Sequence, residues 1–280
     1  MPQTAFLASR AVLKIAGPDA RSFLQGIATQ NVESLKEGEA AFSALLTPQG
    51  KILFDFILVA AGDGFLVDCA SEAAESLAKR LSLYRLRAKV TIEVAPGLAV
   101  GAAWNGALEN APANAVAFMD PRLAALGQRV IGQKETVLAI ADHKSEPLYD
   151  THRLALGVPE FGRDFGGDEV FLLDVNYDAL KGVDYKKGCF VGQEVTSRMK
   201  RKGEVRKRTL ALSLDGPPPP KGTPVMAGEN AIGETLSGAT GSALALIRID
   251  RLAAAREAGS ALTADGREVR ISVPGWLEQR

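Results

Sequence analysis

Two cysteines and two histidines are the only side chains of those kinds among the 280 residues. Cys69 and Cys189 lie far apart and make no disulfide framework, so a reducing cytoplasm is the expected compartment, or the mitochondrial matrix in a eukaryote, although no leader is visible. His143 and His152 have no ligand set near them, and no C-x-x-C or H-E-x-x-H occurs. A four-ligand zinc or iron–sulfur site held by this chain alone is therefore not expected, and no resident metal is assigned. No run approaches the ~18–20 apolar residues of a membrane span. No G-x-x-x-x-G-K-[ST] loop offers a nucleotide site. Net charge is also lacking: 33 basic residues balance 33 acidic ones. The overall charge thus points to no partner class.

What is present reads as α+β. Residues 11–15 alternate as a strand ended by Gly17-Pro18, and Asp19 can cap a short helix over 20–25 with Gly26 as its stop. Residues 41–46 and 51–60 read as strands joined by the turn Thr47-Pro48-Gln49-Gly50. Residues 64–69 form another strand, 71–83 a helix capped by Ser71, and 89–94 a strand; 98–140 repeat the mixture. The run Pro217–Pro220, within 215–222, reads as the clearest boundary, because four prolines favour an extended connector. Beyond it, glycines punctuate short runs, and 243–250 and 269–273 look like strands of a small barrel. The expected division is one module over 1–208, built of two α+β subdomains, and a β-barrel over 209–280.

Lys186-Lys187-Gly188-Cys189-Phe190-Val191-Gly192-Gln193-Glu194 is the most informative stretch. Glycines near a cysteine let the backbone turn tightly and let another molecule approach. Neighbouring ammonium groups favour a thiolate if they face the sulfur. The alternative is a buried cysteine in a glycine turn with its lysines in water.

Residues 187–194 resemble the K-G-C-[YF]-x-G-Q-E signature of the YgfZ family, which includes mitochondrial iron–sulfur assembly relatives. The resemblance extends over Phe23-Leu24-Gln25-Gly26 to Val32, with Asn31 in place of an aspartate, over Leu46–Ile52, Asp120-Pro121-Arg122, Ala155–Pro159 and Arg248-Ile249-Asp250. It implies a fold like the glycine-cleavage T-protein: α+β lobes around a central tetrahydrofolate pocket, followed by a β-barrel. It implies that tetrahydrofolate or a one-carbon derivative binds and that Cys189 is needed for function. It also implies a role in assembling or repairing iron–sulfur proteins, with effects on tRNA modification in some members.

The candidate folate contacts are Asp55, Tyr149, Lys187, Gly188, Gln193 and Glu194. Asp55 lies inside an apolar strand, where an unpaired carboxylate is costly, so it needs a ligand or a partner. Phe54 stands where the T-protein resemblance places a second aspartate. Tyr149 offers a flat wall for a pterin or an ordinary core ring. Glu194 can meet a ligand or tie down the glycine turn. From Lys181 to Arg208 ten basic residues face three acids. This run suits a solvated edge, a polyglutamate tail, an acidic protein partner, or RNA. Lys200 to Arg208 lacks the aromatics that stack bases. The leading reading is a folate-binding accessory of iron–sulfur client or assembly proteins. The alternative is a folate-dependent aminomethyltransferase.

Overall fold

A computed structural model describes residues 2–109, 112–141, 146–202 and 205–278, and His143 lies outside them. Nine strands build two antiparallel sheets: β1 (Gln3–Phe6), β2 (Arg10–Ala16), β3 (Ala40–Leu46), β4 (Ile52–Ala61), β5 (Gly64–Ala70), β6 (Thr91–Val94), β7 (Leu98–Trp104), β8 (Ala115–Met119) and β9 (Gln128–Gln133). One sheet has the order β3-β4-β5-β2-β6 and the other β1-β7-β9-β8. Helices α1 (Ala20–Ile27) and α2 (Ala74–Arg85) cover the outer face of the first sheet; α3 (Lys134–Ile140) and α4 (Glu146–Ala155) follow the second.

Strand period explains which residues meet, because successive side chains point to opposite faces. On β2 and β5, Leu13, Ile15, Phe65, Val67 and Cys69 pack beneath α1 and α2. Val12 and Ala70, of the other parity, join Ile57 and Val59 of β4 and Ile131 of β9 in the core between the sheets. Arg10, Asp55, Asp68 and Arg129 share the parity of that inner set, so the pleat carries charged side chains into the inter-sheet core, where all four are buried.

From 156 to 192 the chain runs through turns, with no helix or strand until α5 (Gln193–Lys202). Irregular connections of this length in a packed domain usually serve a function. This one carries Glu160, Asp164 and Tyr177 into the buried interior.

A closed antiparallel barrel follows, of β10 (Lys207–Leu214), β11 (Pro224–Ala227), β12 (Asn230–Ala239), β13 (Ser242–Arg248), β14 (Leu262–Ala264) and β15 (Arg267–Ser272), in the order β10-β13-β12-β11-β14-β15. Its leucine, valine and isoleucine interior is closed at one side by α6 (Ile249–Glu257).

Several local expectations are corrected. The prolines 217–220 connect β10 to β11 within the barrel and mark no boundary. Gly26 lies inside α1, which continues to Ile27. Asp19 makes no side-chain cap; its carboxylate accepts from the Lys89 N–H at 2.7 Å instead. Ser71 opens a 3-10 turn without capping it. The strand expected over 243–250 stops at Arg248, and Ile249 and Asp250 begin α6. Among the described residues no helix is long and apolar enough to cross a membrane.

Candidate functional site

The candidate residues fall into two groups. The first is a surface turn around Cys189, whose thiol is exposed, whereas Cys69 is buried. Gly188 and Gly192 have φ of +101° and +79°, a conformation glycine adopts without Cβ strain. At Gly192 space is also decisive: a Cβ there would lie 2.7 Å from the Thr47 carbonyl oxygen and 3.1 Å from Gly50 Cα. The turn before β4 therefore forms one wall of the Cys189 turn.

Helix α1 forms the other wall. The Lys187 ammonium donates to the Gln25 carbonyl and, at 2.7 Å, to the Ala28 carbonyl, satisfying the orphan acceptors at the end of α1. In return the Gln25 amide nitrogen donates to the Lys187 carbonyl at 3.2 Å, and its oxygen accepts from Val32 N–H at 2.9 Å. Burial lowers the Lys187 pKa to about 8, with Asp184 opposing. The ammonium is thus a brace directed into α1, and it also ends the helix in the place expected of Gly26. Three separate motifs, around Gln25, Gly50 and Gly192, converge at the turn that carries Cys189. Gln193 and Glu194 begin α5 on the far side of Gly192, with Glu194 exposed.

The second group is an island of charge between the sheets. Arg10 Nε meets Asp68 at 2.6 Å and Arg10 Nη1 meets Glu160 at 3.3 Å. Arg129 bridges Asp68 at 3.0 Å and Asp120 at 3.2 Å, and Arg122 meets Asp120 at 2.8 Å. Burial alone would raise the Glu160 pKa; the guanidiniums of Arg10, Arg122 and Arg153 overcome it and hold the carboxyl at about 2. Asp55 enters this island with one oxygen accepting from the Tyr177 hydroxyl at 2.5 Å. Burial raises its pKa, against the pull of Arg10 and of Tyr177.

Among the described residues, Asp55 Oδ1, Arg129 Nη2 and the hydroxyls of Tyr149 and Tyr185 are buried without a hydrogen-bond partner, and the first three belong to residues of the inter-sheet core. Buried polar atoms are nearly always paired, so each unpaired one calls for an explanation. The three of the core match in kind the donors and acceptors along a pterin edge. All three are sealed by packing, so a ligand would reach them by displacing side chains. Tyr149 itself packs against Trp104, ring centroids 5.4 Å apart, with the Arg129 guanidinium 5.5 Å from its ring centroid.

Residues 206–279 match the family described as CAF17, C-terminal beta-barrel domain. Almost the whole chain is similar to the human protein named iron-sulfur cluster assembly factor IBA57, mitochondrial: 31% identity over 301 residues, covering 96% of this chain and 84% of the relative. The chain belongs to the IBA57 family. The Neurospora crassa IBA57 homologue is 32% identical, over 74% of this chain and 53% of its own length. The aminomethyltransferase T of the glycine cleavage system from Bartonella henselae superposes with a TM-score of 0.75 at 17% identity, over 100% of this chain and 87% of that one. That likeness bears out the expected α+β fold with its closing barrel.

Within this IBA57-family fold, Cys189 and Asp55 occupy different places. At ~3.3 Å per residue of strand, Asp55 stands about 16 Å along the chain from Gly50, where the thiol turn packs. Lys187, Gly188, Gln193 and Glu194 belong with Cys189; Asp55 and Tyr149 belong to the buried island. Sequence reading missed Tyr177, Arg10, Asp68, Arg129 and Glu160. A signal was available for one of them: Asp68 sits in an apolar strand just as Asp55 does. His152 has its Nε2 2.8 Å from the Ala125 carbonyl oxygen and stacks on Trp104, a structural placement. Among the described residues no group of three or more His, Cys, Asp or Glu side chains is placed to hold a metal ion.

Asp55→Asn tests whether the island is built for stability. The native carboxyl has a raised pKa, so the folded state keeps its proton to a higher pH than the unfolded chain does. Asp55 therefore lowers stability as pH rises through and above the ordinary aspartate range. The asparagine variant should melt higher than wild type at pH 7, by about 2–4 °C for each kcal/mol recovered. The gap should close as pH falls below that range. A lower melting temperature at every pH would instead make Asp55 a needed counter-ion of Arg10.

Proposed function

We propose that this chain is an iron–sulfur assembly factor of the YgfZ type. Cys189 would act as a transient ligand to a cluster shared with a client or assembly protein, giving up its proton as the metal binds. One observation carries this reading: of two cysteines, the exposed one is presented on a turn braced from both sides. The names of the IBA57 relatives support it. An exposed thiol and a buried one suit a reducing compartment, either a cytoplasm or the mitochondrial matrix of those relatives.

We further propose tetrahydrofolate as the ligand of the buried island. Asp55 Oδ1, Tyr149 and Arg129 would hold the pterin edge once the surrounding side chains give way. When bound, tetrahydrofolate supplies one-carbon chemistry. The aminomethyltransferase alternative has the fold in its favour. Against it, Phe54 packs toward Phe161, ring centroids 6.3 Å apart, where the T-protein resemblance calls for a second aspartate. Effects on tRNA modification would follow from the maturation of iron–sulfur clients.

A ligand bound only by the native state raises its melting temperature, by ~2.7 kcal/mol of stability at a hundredfold excess over Kd. Tetrahydrofolate should therefore raise the melting temperature of the wild-type protein and have a much smaller effect on Asp55→Asn. Silence in both calorimetry and melting, with tetrahydrofolate and with its formyl derivative, would remove the folate proposal and leave the thiol proposal intact.

A further inference from the structure

A groove between the C-terminal half of α5 and the start of β10 belongs to neither group above. Its cavity of about 370 Å³ is lined by Phe171, Leu173, Met199 and Val205, with Arg198 and Lys207 at the rim. A cleft of about 340 Å³ shares Glu169, Asp174 and Lys207 with it and continues to Lys221 and Glu234 on the barrel. Two acids also line the groove: Glu169, exposed, accepts from the Gly166 N–H at 2.8 Å, and Asp174, half-buried, accepts from the Phe171 N–H at 3.1 Å. Arg198, Arg206 and Lys207 on its lining are exposed, as are Lys200 and Arg201 elsewhere on α5. The groove thus has an apolar floor and a rim on which three basic side chains outnumber two acidic ones.

We propose that this groove docks an acidic segment with an apolar anchor residue, carried by the protein that shares the cluster with Cys189. The proposal rests on the iron–sulfur reading above. The position supports it, since Met199 stands about 9 Å along α5 from Gln193, beside the thiol turn. A protein interface commonly covers ~800 Å² per partner, enough to span groove and thiol together. Charge complementarity selects an acidic partner and steers its approach. RNA fits less well. Among the described residues lining the groove the one aromatic side chain, Phe171, is half-buried, which gives bases no open platform to stack on.

A photo-crosslinking side chain placed at Met199 in the full-length chain, in cells that depend on it, tests the proposal. The crosslink should fall on a protein segment rich in aspartate or glutamate beside an apolar residue. The double variant Arg198→Glu/Lys207→Glu should lower that yield on the order of tenfold or more, since facing like charges are strongly unfavourable. It should also fail to support growth while keeping wild-type melting and Cys189 reactivity toward a thiol reagent. Lysines in place of the partner's acids should restore the crosslink to the double variant. Full complementation by the double variant, or a crosslink to nucleic acid, overturns the docking proposal. If that variant complements while Cys189→Ala does not, the groove falls and the iron–sulfur reading stands; if both complement, both fall.

Discussion

Cys189→Ala should purify folded, melt as the wild type does, and fail to replace the native protein in cells. Its side chain is exposed on the braced turn, and surface substitutions of this kind seldom change stability by more than ~0.5 kcal/mol. The braces do not involve the sulfur: Lys187 reaches the end of α1, and Gly192 rests on Thr47 and Gly50. What the variant loses is a soft, polarisable ligand that alanine cannot imitate. Cys69→Ala should behave in the opposite way. Cys69 is packed beneath the helices with Phe65 and Val67, and burial pushes its thiol pKa up to about 12, far from a thiolate at neutral pH. Its removal should cost about 1 kcal/mol, the scale of deleting one buried methyl-sized group, and leave function in place. Melting curves and complementation of a deletion strain read both effects. Equal complementation by the two variants would defeat the assignment of Cys189.

The largest loss of stability should come from Arg153→Ala. Arg153 is wholly buried at the joint between α4, the long connection and the barrel. It meets Asp164 at 2.7 Å and Asp150 at 2.7 Å, donates to the Val158 carbonyl at 2.7 Å, and reaches Ser237 Oγ on β12 at 2.9 Å. Asp164 also accepts from the Ser237 N–H and hydroxyl, at 3.0 and 2.6 Å. Removing the guanidinium strands a buried carboxylate and unties the barrel. Breaking a buried pair in this way typically costs ~3–5 kcal/mol. A melting temperature lower by roughly 10 °C is expected. Arg248→Ala is the control, since its pair with Asp250 is on the surface and such pairs contribute little. Denaturant titration of the two variants decides the matter; similar small losses would show that the buried network is not what holds the barrel in place.

Local pattern made much of this fold legible. The alternation in 64–69, the glycine turn at Thr47–Gly50 and the short punctuated runs after 222 depend on neighbours in the chain, and each became the expected strand, turn or barrel element. Where local signals competed, they misled. Four prolines read as a boundary because proline lacks a donor, yet a closed barrel can place such a run in a connection between its strands. Gly26 read as a helix stop because no local feature shows that Lys187 closes the helix from 162 positions away.

The site divides along the same line. Residue order alone placed Cys189 in a glycine turn, Asp55 in an apolar strand, and a basic run after the thiol. These are statements about residue type and spacing. Tertiary structure alone decided that Lys187 braces a helix, that Tyr177 meets Asp55 across 122 residues, and that Arg10, Asp68, Arg129 and Glu160 close an island between two sheets. The reason is physical. Strand parity sets which face a side chain takes, but strand pairing and the path of the long connection set what it finds there.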